Sequence, residues 1–252
     1  MFMFDAQDQA SGLRKLFGDN LPPPVHALSC PSRPAIVLPL AQITAHALVQ
    51  QGFNLAWIDE LDLGNRQDWP LPCPVRFDLS QALIGHVSLA SSLLPLNAQL
   101  WYALARRLER VPHHVYPSLI QRLQEQGLKL DKILLCLDPG SQRMLSVYHE
   151  QVHHTVISGV SAEEVSVARD WIVQMQSRQP ASSWGIVWVG AKGKGGRKSP
   201  TQTLIDDILQ TTGQHVKVLG QLPASLTQGA LSNAWAQPQT LRDLWLQHIL
   251  QA

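Results

Sequence analysis

The sequence predicts an α/β protein built on a doubly wound, mostly parallel sheet, and three features predict it. Val25–Asp62 reads as strand, turn, helix and second strand of one right-handed βαβ unit. Lys132–Leu137, KILLCL, is a short continuous apolar run that stops at Asp138-Pro139-Gly140, the pattern of a strand buried on both faces with an acid at its carboxyl end. Beyond it strand and helix patterns alternate to Leu219, which is how a parallel sheet is wound.

The composition allows this. A chain of 252 residues, 45% hydrophobic and 15% charged, buries a large core and reads as one globular domain, residues 25–252, behind an N-terminal arm, residues 1–24. A formal net charge of +1 provides no general attraction to nucleic acid or to an anionic membrane, so neither is expected as a partner except through a local patch. Cys30, Cys73 and Cys136 are far apart and form no CxxC, which predicts buried thiols in a reducing cytoplasm. The acids of MFMFDAQDQA replace the basic region of a signal peptide, and no apolar run is long enough to span a bilayer.

Taken in order, Asp5–Phe17 places Ala10, Leu13, Leu16 and Phe17 on one helical stripe, with Asp5 or Asp8 as N-cap and Arg14 and Lys15 near the other end. Gly12 in its middle costs roughly 1 kcal/mol, so this short helix is expected to order on a surface. Leu21–Pro24, LPPP, is a stiff spacer. In the βαβ unit the turn after the first strand is Cys30-Pro31-Ser32-Arg33-Pro34. No glycine lies between Gly18 and Gly52, no lysine between Lys15 and Lys129, and Pro31, Pro34 and Pro39 each remove an N–H that a phosphate would use. The unit has the outline of a nucleotide binder whose phosphate loop is degenerate.

Asp62–Pro74 reads as a surface loop, and Pro74–Leu79 and Gly85–Leu89 as short strands. Leu100, Leu104 and Leu108, then Leu119, Leu123 and Leu128, predict two helices broken by Pro112 and Pro117. Helices follow at Ser141–Gln151, Ala162–Gln176 and Thr201–Thr211, and strands at Thr155–Ser158, Trp184–Val189 and His215–Leu219.

Three constellations invite chemistry. Ala191–Thr201 holds Lys192, Lys194, Arg197 and Lys198 among glycines. It reads as a solvated loop, as a basic patch for phosphate, RNA or an acidic protein surface, or as a displaced phosphate loop, although no glycine directly precedes Lys198 and Pro200 removes an early helix N–H. His149-Glu150-Gln151-Val152-His153 has the spelling of a zinc-binding HExxH helix, with His113, His114 or His154 as third ligand, but it runs directly into a strand pattern, so no metal is expected. Asp59, Asp62 and Asp138 would hold Mg²⁺ in a working nucleotidase and read otherwise as loop acids.

The order of landmarks resembles a family. Asp8-Gln9-Ala10-Ser11-Gly12-Leu13-Arg14 is similar to the DQAxGLR motif that opens flagellar-number regulators of the MinD/ParA type (FlhG, also called FleN), at the same distance before the first strand. WIDELDLG (Trp57–Gly64) is similar to the family's first switch, with one extra residue between its acids. LLCLDPGS (Leu134–Ser141) resembles its Walker B-like strand and second switch, VLGQLPAS (Val218–Ser225) its late strand and turn, and TLRDLWLQHIL (Thr240–Leu250) its terminal amphipathic helix. The deviant Walker A loop, KGGxGK[ST] in the family, is absent from Ser29–Pro39.

The resemblance implies a MinD/ParA-like P-loop NTPase fold, a pseudo-ATPase without a cofactor, and an arm that docks on the signal-recognition-type GTPase FlhF and stimulates its GTP hydrolysis. Asp8, Gln9, Ala10, Gly12, Leu13, Arg14, Leu16 and Phe17 would form the contact, with Gln9 ordering the attacking water in trans. It also implies a cytoplasmic protein recruited to the cell pole or the inner face of the membrane, with flagellar switch or C-ring proteins as further partners. In the tail, Leu241, Leu244, Trp245, His248 and Ile249 form an apolar stripe; its polar face has Arg242 and Asp243 cancelling, which predicts packing on protein and weak or no membrane binding. The competing functions are a non-catalytic scaffold for flagellar switch or membrane partners and a nucleotide-dependent enzyme using the loop at 192–198.

Overall fold

The computed structural model describes residues 23–61, 75–108, 111, 112, 115, 119, 122, 123, 126–140, 152–190 and 200–222. The arm motif at 8–14, the loop from Asp62, Cys73, the helix expected at Ser141–Gln151, the basic loop at 192–198 and the tail stripe at 241–249 lie outside the described residues.

Among the described residues eight strands form one sheet: β1 (Val25–Ser29), β2 (Leu55–Asp59), β3 (Leu94–Pro95), β4 (Leu100–Leu104), β5 (Lys132–Cys136), β6 (Val152–Gly159), β7 (Ser183–Val189) and β8 (Val216–Leu222). Their spatial order is β3-β4-β2-β5-β1-β6-β7-β8. All neighbours run parallel except β3 and β4. The sheet is therefore the doubly wound, mostly parallel one that the sequence predicts.

The continuous apolar strands follow from burial on both sides, since a parallel sheet carries its crossover helices on its two faces. Every residue of β2 is buried. One face is covered by α1 (Val37–Gln50), which packs Leu38, Ala41, Ala45 and Leu48 against Leu28, Trp57, Leu134 and Cys136. A 3-10 turn, Pro34–Ile36, leads into α1. Pro39 lies in the first turn of α1, where a missing N–H breaks no intrahelical bond. The helix ends at Gln50, and just beyond it Gly52, with a φ of +91°, lets the chain turn back so that the Phe53 N–H reaches the Leu48 carbonyl at 3.1 Å.

The opposite face carries α2 (Leu79–Leu83), α3 (Leu89–Ser92), α4 (Ala162–Arg178) and α5 (Pro200–Thr212). Ala168, Trp171, Ile172 and Met175 of α4 are buried there with Leu204 and Ile208 of α5. Arg169 of α4 is joined to Asp207 of α5 by an ion pair.

Three expectations are corrected. The strand expected over Pro74–Leu79 gives way to helix from Leu79, because Asp78 caps it: its Oδ1 accepts from the Ser80 N–H at 2.9 Å and the Gln81 side chain returns to the Asp78 N–H at 3.0 Å. Residues 85–87 are turn and bend rather than strand, and α3 begins after the extended N-cap Ser88, whose hydroxyl caps the Ser91 N–H at 3.2 Å. Leu100–Leu104 is a strand rather than a helix. Leucines four apart also satisfy a period of two, and here the in-register pairing from Leu55↔Leu100 to Asp59↔Leu104 decides between the two. The helix expected further on is seen at Leu119, Arg122 and Leu123, with both leucines buried.

Candidate functional site

In an open parallel sheet a ligand crevice forms beyond the carboxyl ends of the strands, where successive connections leave in opposite directions. That point lies at β1, with β5 and then β2 on one side and β6 and then β7 on the other. The candidate site is the set of segments that meet there: the turn 30–36 after β1, 59–61 after β2, 137–140 after β5 and 159–164 after β6.

The turn after β1 is closed on itself. The Arg33 N–H donates to the Cys30 carbonyl at 3.2 Å and the Ile36 N–H to the Arg33 carbonyl at 3.2 Å. The Val37 N–H donates to the Pro34 carbonyl. Pro34 and Pro39 have no N–H to offer, and the first turn of α1 has neither a capping side chain nor an acid. Cys30 is fully buried, its Sγ 3.9 Å from the Ser32 hydroxyl, and burial pushes its thiol up. A thiol so placed is a packing group, not a nucleophile.

Arg33 reaches across to α4, where its Nη2 lies 2.8 Å from Glu164 Oε1. Glu164 is also the third residue of a capping box: Ser161 Oγ donates to Glu164 Oε2 at 2.7 Å, and the Glu164 N–H donates to Ser161 Oγ at 3.3 Å. The carboxylate rests on the bare Cα of Gly159, where an added Cβ would lie 2.0 Å from Oε2.

Asp59 is wholly buried and serves the framework. Its Oδ1 accepts from the Leu61 N–H at 2.9 Å and its Oδ2 from the Tyr102 hydroxyl at 2.6 Å. Asp138 accepts from the Gly140 N–H at 2.9 Å, an ordinary loop bond. Asp62 lies outside the described residues. The structure thus brings Asp59 and Asp138 to the same edge and employs each locally. Among the described residues no group of three or more His, Cys, Asp or Glu side chains is placed to hold a metal ion.

The HExxH string is corrected in its second half: Val152 and His153 open β6, so the two histidines do not share a helix. His153 instead stacks on His26 of β1, ring centroids 5.2 Å apart, and its Nδ1 lies 2.6 Å from the Ser183 hydroxyl. This row crosses three strands in register at the amino ends of β1, β6 and β7, opposite to the candidate site. No sequence signal announces it, because its members are far apart along the chain. The Ser161–Glu164 box, in contrast, is legible as S-x-x-E.

No protein-family model matches the chain, and a search of curated proteins finds no match. Solved structures do resemble it. The Aquifex aeolicus MinC:MinD cell division complex matches with a TM-score of 0.65 at 14% identity, over 90% of this chain and 94% of that one. A complex of Cyanothece McdA with ATP matches at 0.63 and 13% identity, over 90% and 95%. A plasmid partition protein from Borrelia burgdorferi matches at 0.63 and 13% identity, over 92% and 99%.

Proposed function

We propose that this chain, which has the fold of the MinD and ParA ATPases, is a positioning regulator of the FlhG type that has given up nucleotide chemistry and acts by contact. The observation that carries the reading is a juxtaposition. A segment that matches the DQAxGLR motif, Asp8–Arg14, stands just ahead of a β1 turn that holds no glycine and turns its Arg33 and Ile36 N–H groups onto its own carbonyls. A phosphate needs those N–H groups and a lysine ammonium, and Cys30–Pro34 supplies neither.

The partner is an FlhF-type GTPase, and the arm is the contact. On a docked arm Gln9 is the residue that orders the attacking water, while Leu13 supplies the central apolar contact and Arg14 pairs with an acid or a phosphate. The tail stripe at Leu241, Leu244, Trp245 and Ile249 serves a protein surface rather than lipid, since Arg242 and Asp243 leave its polar face without a basic cluster.

Two measurements test this. Calorimetry with ATP on the full chain is expected to give no saturable binding; micromolar binding lost in Lys194→Ala or Lys198→Ala would transfer the site to the basic loop and restore the enzyme reading. The full chain, and the segment 1–20 alone, are expected to raise FlhF GTP turnover. Leu13→Ala weakens docking by roughly 2 kcal/mol or more if that side chain is fully covered in the complex. Gln9→Ala leaves docking nearly intact and lowers the stimulated rate, as expected of a group that acts mainly in the transition state. A segment that does not bind FlhF removes the partner, and the scaffold reading takes its place.

A further inference from the structure

We propose that Arg33, on the turn after β1, is a latent oxyanion site that the chain fills with its own Glu164 carboxylate, so that the turn's cation is occupied from within. The inference deepens the reading of a chain without nucleotide chemistry and rests on it.

Arg33 is the one cation of the turn Cys30–Pro34. It faces a carboxylate across 2.8 Å, with the two side chains only 31% and 23% exposed. The carboxylate is held in place from its own side by the Ser161 hydroxyl at 2.7 Å and the Ser161 N–H at 3.4 Å. Gly159 supplies the space: any side chain there would displace Glu164, because its Cβ would fall 2.0 Å from Oε2. The contact is therefore built from three segments, the β1 turn, the end of β6 and the first turn of α4.

A carboxylate satisfies this site incompletely. Arg33 Nε is buried with no hydrogen-bond partner among the described residues. A buried donor without an acceptor is costly, and a guanidinium that gives one nitrogen to one carboxylate oxygen has capacity left. An oxyanion with three or more oxygens would use what Glu164 leaves over. The internal carboxylate wins because it is covalently present at high effective concentration and is positioned by its cap. Its position also ties the turn to α4, and through Arg169 and Asp207 to α5. The turn is thus coupled to that helical face without a nucleotide.

The test is charge rescue with inorganic pyrophosphate on the full chain. Glu164→Gln removes the charge while keeping hydrogen-bonding groups for the cap; Glu164→Ala removes both; Arg33→Met with Glu164→Ala removes the receiving cation. In thermal unfolding, roughly 10 mM pyrophosphate is expected to raise the Tm of both single variants by about 3 °C or more, and to leave the unaltered chain and the double variant together at a lower common shift. Equal shifts in all four proteins, or none in the Glu164 variants, would overturn the inference. The two readings fail separately. Saturable ATP binding that survives Lys194→Ala and Lys198→Ala sinks the parent reading and the plug with it, whereas Glu164 variants inert to pyrophosphate in a chain that ignores ATP sink the plug alone.

Discussion

Acidification from about pH 7 to about pH 5 is expected to cost the folded state about 2–4 kcal/mol, most of it through His26 and His154. His26 is held down to about 3, first by burial and then by the charges of Lys132 and His153. His154 is held down to about 4 by burial, against a hydrogen bond to Gln179 that favours the charged form. The geometry explains the second case. His154 Nε2 meets Gln179 Oε1 at 2.8 Å and must carry the proton, because an amide oxygen only accepts. Nδ1 is then the bare nitrogen, and it is buried without a partner among the described residues. Protonation would create a buried N–H with no acceptor on a ring stacked 4.0 Å from Trp184.

Above the unfolded value of about 6.5 both states are neutral at these rings and stability does not change with pH through them. Below it the unfolded chain binds protons that the folded chain refuses. Stability therefore falls as pH falls, by up to about 1.4 kcal/mol per pH unit per histidine, and levels off only near the folded values. Urea unfolding at a series of pH values reads this directly. His154→Gln should flatten the dependence, and a midpoint that stays constant between pH 7 and pH 5 in the unaltered chain would refute the assignment.

Replacement of Trp57 is expected to be the most damaging single truncation near the candidate site, about 3–5 kcal/mol for Trp57→Ala. Trp57 is 2% exposed in the middle of β2, edge-on to Tyr102 with centroids 5.2 Å apart, and its Nε1–H donates to Cys136 Sγ at 3.1 Å. The loss would leave a cavity between α1 and three strands and loosen the Tyr102 ring whose hydroxyl holds Asp59. Trp57→Phe keeps most of the packing and should cost far less. Chemical denaturation measures both; a loss under about 1 kcal/mol for the alanine variant would mean that the core closes over the gap.

The strands that build the core are legible because burial on both faces forces an unbroken apolar run, as in LAWI, ILLC and WGIVWV, and a surface helix rarely imitates that. Where the sequence misleads there is a physical reason too. Leu100 and Leu104 satisfy helix and strand periods alike, and only the partner strand, far back in the sequence, resolves them. The box at Asp78–Gln81 is there to be read, but five residues of helix are too few to show periodicity. At the candidate site the missing glycines are plain in the sequence. The reach of Arg33 to Glu164, the bond from Tyr102 to Asp59 and the histidine row are not, because each joins side chains that only the winding of the chain brings together.

The central place of β1 has a consequence for how the molecule is made. β1 leaves the ribosome well before either of its neighbours, β5 and β6, with β2, β3 and β4 made in between. Until Ile133 and Val152 have been synthesised, Val25–Ser29 has two open edges and nothing to pair with. Such late, long-range closure makes folding slow and exposes apolar strands while it lasts. Nascent chains truncated before β6 should therefore be protease-sensitive throughout and engage chaperones, and the sheet should assemble around β1 in one late event rather than grow from its N-terminal βαβ unit.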